Sequence, residues 1–499
     1  MSLSPSDLAA LWPVLIPAVV GCVLPIAALD RDQETQKWIR GAMFVMALAA
    51  LAATFFYTTR LWVTGAQPTV GVFRMDRLAQ FATLFLAVAG ALGVMQLWDH
   101  LHQEGWVKGE ALALLLLSLT GMILFSATTH LLLLFVALEL LSIPLYVLTG
   151  FVRMRPEAPE GGLKYFLTGA VASATFLMGG VLLYGVTGSL DLAVVAQRLA
   201  TGPLDALALA GAAMVLMGFL FKVGAVPFHA WVPDAYEAAP HPISGFMSAA
   251  TKGAAFFALL RVFPWNLSVS PELLARASSA LAVVAVLTLV FANLAALAQT
   301  NVKRLLAYAS VGQAGYLLLA FVAGTPEAYA GLLFYLAAYM AMSLGAFGLL
   351  TALGLVGERT DLLHLRGQGW KRPELGIAAA LCLFSMAGIP PLAGFYGKYQ
   401  IFKELVGTGH LGLAILGVLA SLVSVGYYLK VVVALFMEEP SPAQEREEAE
   451  KPAVEASVSS ATVLVCGVLV VLMGLLPGAI YTSMSHRTVK DAGMVQGTR

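Results

Sequence analysis

Charge is what this 499-residue chain has least of: Asp, Glu, Lys and Arg together make 12% of it, about half the roughly 25% of a soluble domain. The 29 basic and 29 acidic residues also cancel, so the chain has no electrostatic footprint for nucleic acid, which is excluded as a partner. Cysteine is scarcer still. Cys22, Cys382 and Cys466 stand far apart, each in an apolar run. That spacing fits neither an iron–sulfur ligand set nor a zinc site, and an odd count gives no disulfide framework. Glycine is plentiful, but stretches such as GAVASATFLMGG read as helix packing, with no phosphate-binding loop. Any electron-carrying chemistry therefore lies in another chain.

What fills the chain is apolar. Hydrophobic residues are 59% of it and the mean hydropathy is +0.83, which makes it an all-α, polytopic integral membrane protein. Runs of about 20 residues predict about fourteen spans, among them 8–29, 41–63, 110–128, 130–149, 163–186, 205–226, 242–264, 303–323, 374–402, 410–437 and 457–480. The first has no Lys or Arg ahead of it and no small-residue cleavage site, so it reads as a retained helix. Loops after odd-numbered spans hold the larger share of Lys and Arg, including Arg31, Lys37, Arg40, Arg153, Arg155, Lys303, Arg304, Lys371 and Arg372. These loops are expected in the cytoplasm, with both termini on the outer side of the membrane. Glu438 to Ala456 is rich in Pro and Glu and reads as a solvated tether. The chain thus divides into an N-terminal three-helix segment (1–109), two repeats (110–264 and 265–437), the tether (438–456) and a C-terminal helix with its tail (457–499).

Against this background Glu139, Lys222, Lys252 and Lys398 fall inside spans, where a charge costs roughly 2.5–3.5 kcal/mol on insertion scales. Burial favours a neutral amine and an approaching carboxylate restores its proton, so an amine and a carboxylate of variable separation make a proton switch. Moving one charge across the membrane is worth about 2.3 kcal/mol per 100 mV. The four residues are therefore candidates for moving protons, with neither nucleophile nor metal. Lys430 lies near a helix end, where snorkelling explains it. Asp234 and Glu237 read as caps of the eighth helix or as loop solvation, and Arg153, Lys303 and Arg304 as surface anchors.

Two spans are interrupted. The seventh, GFLFKVGAVPFHAWVPDAYEAAPHP, has Gly224 and Pro227 after Lys222; the twelfth, FSMAGIPPLAGFYGKYQIF, has Gly388, Pro390, Pro391 and Gly394 before Lys398. Proline removes a backbone donor and clashes with the preceding turn, so each span is expected as two half-helices joined by unwound backbone, tolerated only beside protein or water. A matched pair of such spans points to inverted repeats with the ion path between them. Spans four to eight and nine to thirteen would be those five-helix repeats, with helices 7 and 12 discontinuous and Lys222 and Lys398 in equivalent seats.

The stretch FKVGAVPFHAWVPDAYEAAPHPISGFMSAATKGAAFFALLR, followed by NVKRLLAYASVGQAGY and SMAGIPPLAGFYGKYQIF, resembles the core of the antiporter-like membrane subunits of respiratory complex I and of multi-subunit sodium/proton antiporters, over roughly residues 110–435. Within that family it resembles the shorter chains with lysine at the place of Lys398, where other members carry glutamate or run on into a lateral helix. The resemblance implies that Glu139, in LLFVALELLSIP, pairs with Lys222. It implies that Lys252, in SAATKGAAF, links the first half-channel to the centre and that Lys398, in GFYGK, delivers or releases the proton. His229 and His241 match candidate relays. Gln313 stands where many relatives have histidine; an amide cannot titrate, so the relay there would pass through solvent. The implied function is proton translocation in NADH:quinone oxidoreductase, with FMN, iron–sulfur clusters and quinone in partner subunits, and with other membrane and peripheral subunits and membrane lipid as partners. A D-type subunit of a sodium/proton antiporter shares the fold and the lysines. Mid-span lysines speak against a pure scaffold, and the absence of an aromatic and polar pocket around them speaks against a solute carrier.

Overall fold

Hydrocarbon offers backbone N–H and C=O groups no water, so long apolar runs resolve into helices that satisfy themselves. The computed structural model describes residues 5–27, 33–103, 109–152, 155–201, 205–263, 271–355, 360–440, 457–484 and 488. Arg31, Arg153, the tether beyond Pro440 and most of the C-terminal tail lie outside the described residues. Thirteen helical segments among those described are long and apolar enough to cross a membrane. A further crossing is divided between α16 (Pro373–Ala387) and α17 (Ala393–Gly407), of 15 residues each, both short of the roughly 20 needed to span alone.

The N-terminal segment comprises α1 (Pro5–Ala27), α2 (Gln33–Thr64) and α3 (Arg77–Gln103). α2 starts eight residues before the apolar run that predicts it, because QETQKW is built of residues that favour or tolerate helix although they are polar. A short antiparallel hairpin, Thr69–Val70 with Phe73–Arg74, joins it to α3. Then come α4 (Gly109–Ala127), α5 (Leu131–Thr149), α6 (Glu157–Thr187), a short helix α7 (Leu192–Thr201) that the hydropathy pattern does not reveal, and α8 (Ala206–Val223). The eighth span is composite: α10 (His241–Phe246), a π-helical turn at Met247–Thr251 and α11 (Lys252–Val262), preceded by the short α9 (Trp231–Ala238). α12 (Pro271–Leu297), α13 (Val302–Ala323) and α14 (Pro326–Ala352) follow; a four-residue α15 (Gln368–Lys371) precedes α16, and α18 (Leu411–Phe436), α19 (Ser457–Leu475) and α20 (Pro477–Ser483) complete the chain.

Which helices are central is decided by packing. Nearly every residue of α13 and α14 is buried, and α10 is enclosed on all sides. α5 instead presents Leu132, Val136, Ile143 and Val147 outward. Its seat is set by α4: a Cβ at Gly121 would lie 2.4 Å from the Leu141 nitrogen, and Ser118 Oγ donates to the Leu141 carbonyl at 2.9 Å. The last span returns to the third. Asp99 accepts from the Ser459 N–H at 2.6 Å, and Gln96 Nε2 donates to the Leu344 carbonyl and the Thr462 hydroxyl at 3.0 and 3.1 Å. At the far end of α3, Arg261 binds both oxygens of Asp76 at 2.8 Å. Burial alone would raise the Asp76 carboxyl, but the guanidinium outweighs it and holds the group below the usual carboxylate range.

Candidate proton path

Both interrupted spans break the same way. α8 ends on Gly224 (φ 75°) and α16 on Gly388 (φ 90°), a left-handed conformation for which glycine carries no Cβ penalty. At each end the two following N–H groups fold back onto the last-turn carbonyls of Leu220 and Phe384, which closes the helix. Pro227, and Pro390 with Pro391, occupy the unwound backbone beyond. The seats of the two lysines, however, are not equivalent. Lys222 lies two residues before its glycine, whereas Lys398 lies ten residues after the other. The residue in the register of Lys222 in the second break is Met386, and its carbonyl accepts a hydrogen bond from Lys398 Nζ at 2.8 Å. That return is possible because Gly394 lies against Ser385, its N–H donating to Ser385 Oγ at 2.9 Å, where a Cβ would come within 1.9 Å of the Ser385 carbonyl.

Each lysine is 3% exposed, and each is held by neutral oxygens. Lys222 donates to Ser142 Oγ at 2.8 Å and to the Tyr165 hydroxyl at 3.1 Å. Lys252, the first residue after the π-helical turn, donates to the carbonyl of Ser310 and, at 2.9 Å, to its hydroxyl. Lys398 adds Ser421 Oγ at 2.9 Å. The three ammonium groups also lie over tyrosine rings, 5.5 Å from Tyr165, 5.8 Å from Tyr339 and 4.1 Å from Tyr316, a contact worth about 2 kcal/mol when desolvated. Among the described residues no ion pair joins Glu139 to Lys222. The expected pairing is indirect: Ser142, one turn along α5, takes the lysine's hydrogen bond, while Glu139 stands near enough for its charge to act on the ammonium. Glu139 Oε1 is buried with no hydrogen-bond partner among the described residues.

The central helices join the lysines. Ser310 and Gln313 lie three apart on α13 and so share a face. Gln313 Nε2 donates to the Met386 carbonyl at 3.2 Å and the Tyr428 hydroxyl at 3.0 Å, and its Oε1 accepts from the Tyr335 hydroxyl. The Met386 carbonyl is thereby shared between Gln313 and Lys398. Toward Lys222, Tyr165 stacks on Trp231 at 4.3 Å and Trp231 meets Tyr236 at 6.2 Å. The Tyr236 hydroxyl reaches Ser248 and Ser310, and Ser248 pairs with the Tyr339 hydroxyl at 2.6 Å. One buried line of polar groups and packed aromatic rings thus runs from Lys222 past Lys252 to Lys398. Its serines and tyrosines carry no sequence signal, because the same residue types serve packing in membrane helices.

Other expectations need correction. Lys303 is no surface anchor: it is 1% exposed and donates to the carbonyls of Glu237 and Ala239, where the C-terminus of α9 leaves acceptors unsatisfied and favours a cation. Asp234 and Glu237 do not cap the eighth helix; both pair with Arg304, at 2.9 and 2.6 Å. His229 is half-buried with its ring 4.7 Å from Phe291, and among the described residues no side-chain hydrogen bond joins it to the line. His241 is buried, its Nε2 against the Leu355 carbonyl. Lys430 is exposed and binds the carbonyl of Leu297, the last residue of α12, a structural role.

The family model described as NADH:quinone oxidoreductase/Mrp antiporter, TM, matches residues 128–424. NADH-quinone oxidoreductase subunit N of Trichlorobacter lovleyi is 38% identical over 428 residues, 85% of this chain and 87% of that protein. Subunit N 1 of Sorangium cellulosum is 42% identical over 491 residues, 94% of this chain and 96% of that protein. Among solved structures, a chain of respiratory complex I from Thermus thermophilus with bound aureothin is similar with a TM-score of 0.77 and 34% identity over 95% of this chain and 99% of that one.

Proposed function

We propose, from the premise that this chain belongs to the NADH:quinone oxidoreductase/Mrp antiporter membrane family, that Lys222, Lys252 and Lys398 are the stations of its proton path. The chain is a proton-translocating membrane subunit of NADH:quinone oxidoreductase, and the other subunits of that complex are its partners. It has no redox role: FMN, iron–sulfur clusters and quinone are assigned to the partner chains, whose electron transfer drives the protons moved here. The odd loops face the cytoplasm in this reading, and 110–264 and 265–437 are inverted repeats related through their matching Gly-Pro breaks.

One observation carries the assignment. Each buried lysine is bound by a serine hydroxyl and other neutral oxygens, and a hydroxyl both accepts from an ammonium and donates to a neutral amine. Such a partner suits a group that must change charge, whereas a contacting carboxylate would hold the proton in place. Glu139 acts on Lys222 across this gap, and any motion that shortens it loads the site. His241 is a relay at one end of the line; His229, turned to Phe291, is given no part. The test is Lys252→Met in the assembled complex reconstituted into vesicles. Methionine keeps the volume and removes the titrating group, so proton pumping is expected to fall below a tenth of the wild-type rate with the complex intact. Pumping at the normal rate would overturn the reading.

A further inference from the structure

The end of the line nearest the odd loops is built of polar groups of which only His241 has a role above. His100, in the last turn of α3, is 1% exposed, and neither of its ring nitrogens has a partner among the described residues. Its ring lies 5.7 Å from that of His241. Because His241 Nε2 meets the Leu355 carbonyl, Nε2 carries the proton and Nδ1 is an acceptor, and Nδ1 likewise lacks a partner among the described residues. Gln103, one turn after His100, donates to the Thr351 carbonyl at 3.0 Å, while its Oε1 and the Thr351 hydroxyl have no partner among the described residues. Five buried polar atoms on α3, α10 and α14 are thus without hydrogen-bond partners among the described residues. Left dry, each forfeits the hydrogen bonds it would make to water, and a bound water that meets two to four of them restores them. The charged groups facing the rings are Arg155 and Lys303.

A face of the eighth span leads from this cluster to Lys252. Ser244, Ser248 and Lys252 follow His241 at spacings of three, four and four, about 16 Å of helix at 1.5 Å per residue. Ser244 Oγ donates to the Tyr236 carbonyl at 2.6 Å and Ser248 pairs with Tyr339. We propose that His100 and His241 form a water-bearing proton-intake site that supplies Lys252 along this face. His241, its Nε2–H held by the Leu355 carbonyl, offers Nδ1 as the acceptor that orients the water. A neutral His100 accepts a proton from water on one nitrogen and gives the proton of the other to the next water, and rotation of the ring restores the tautomer, so no buried charge is held. The proposal rests on the reading of Lys252 as a station on the path.

The experiment uses the assembled complex in vesicles, with His100→Gln, His100→Gly, His241→Gln and Lys252→Met compared. His100→Gln is expected to slow pumping several-fold, with a loss that deepens as pH rises and protons grow scarce, and with a larger solvent deuterium isotope effect. Imidazole added to His100→Gly is expected to restore part of the rate, which a packing role would not allow. Wild-type rates and pH profile in both glutamine variants, beside a blocked Lys252→Met, would overturn the intake site and leave the lysine reading standing. Normal pumping in Lys252→Met would overturn both. If the glycine variant does not assemble, the pH profile and isotope effect of the two glutamine variants decide alone.

Discussion

The two broken helices close on the same glycine turn and then use it in opposite ways. Lys222 precedes its break and has a carboxylate within electrostatic range on α5; Lys398 follows its break, reaches back to the Met386 carbonyl, and has no contacting carboxylate among the described residues. Their surroundings differ too. Lys398 and Ser421 form part of the wall of a cleft between α17 and α18 lined by Phe395, Phe402 and Val418, whereas the cleft beside α8, lined by Thr168, Phe221, Pro227 and Trp231, does not reach Lys222. The difference teaches that one lysine has a carboxylate nearby and the other depends on hydrogen-bond geometry across its break. In the proposed path, a proton at Lys222 responds to where Glu139 stands and a proton at Lys398 to whether the half-helices stay joined.

The largest effect is expected at the charge-controlled site. Lys222→Ala should abolish pumping in reconstituted vesicles, read from the pH gradient, while the complex still assembles; a normal gradient would remove Lys222 from the path. Glu139→Gln should cost nearly as much and Glu139→Asp much less, since the shorter carboxylate still carries the charge. A glutamine variant that pumps at the wild-type rate would show that the Ser142 and Tyr165 hydroxyls govern Lys222 without Glu139, and the contrast between the sites would collapse. Next in size is Lys398→Met, which should impair coupled turnover strongly, whereas Lys430→Met, losing only a helix-end contact to Leu297, should leave the ratio of protons to electrons unchanged. The reverse order of damage would move the path into α18. The smallest effects separate the hydroxyls. Ser421→Ala should slow pumping several-fold because Lys398 then keeps only a carbonyl, which cannot donate to a neutral amine. Ser142→Ala should slow it less, because the Tyr165 hydroxyl remains on Lys222. Equal losses in the two alanine variants would mean that the hydroxyls only position the amines.

The four charges within spans were legible in the sequence because a charge inside an apolar run is costly wherever the helices pack, and the two breaks were legible because Gly and Pro act on the backbone locally. Span number and helical class followed from run length alone. The partners of the lysines did not. Ser142, Ser310 and Ser421 are short hydroxyl residues among many, and Lys303 sits in a loop by sequence and under α9 by structure. The register of Lys222 and Lys398 about their glycines can be counted in the sequence, but that Met386 offers its carbonyl to Lys398 depends on Gly394 closing against Ser385. The π-helical turn that aims Lys252 at Ser310 leaves no compositional trace.

By itself, then, the sequence determined an all-helical membrane chain with two interrupted spans and four charges that need a use, since hydropathy, proline and the cost of buried charge all act within a few residues. Only the tertiary structure decided that the three lysines lie on one line, that Ser142 and not Glu139 takes the Lys222 hydrogen bond, and that His100 meets His241. Those relations join residues up to hundreds of positions apart, and which of many similar hydroxyls, carbonyls and rings meet is set by how the helices pack against one another.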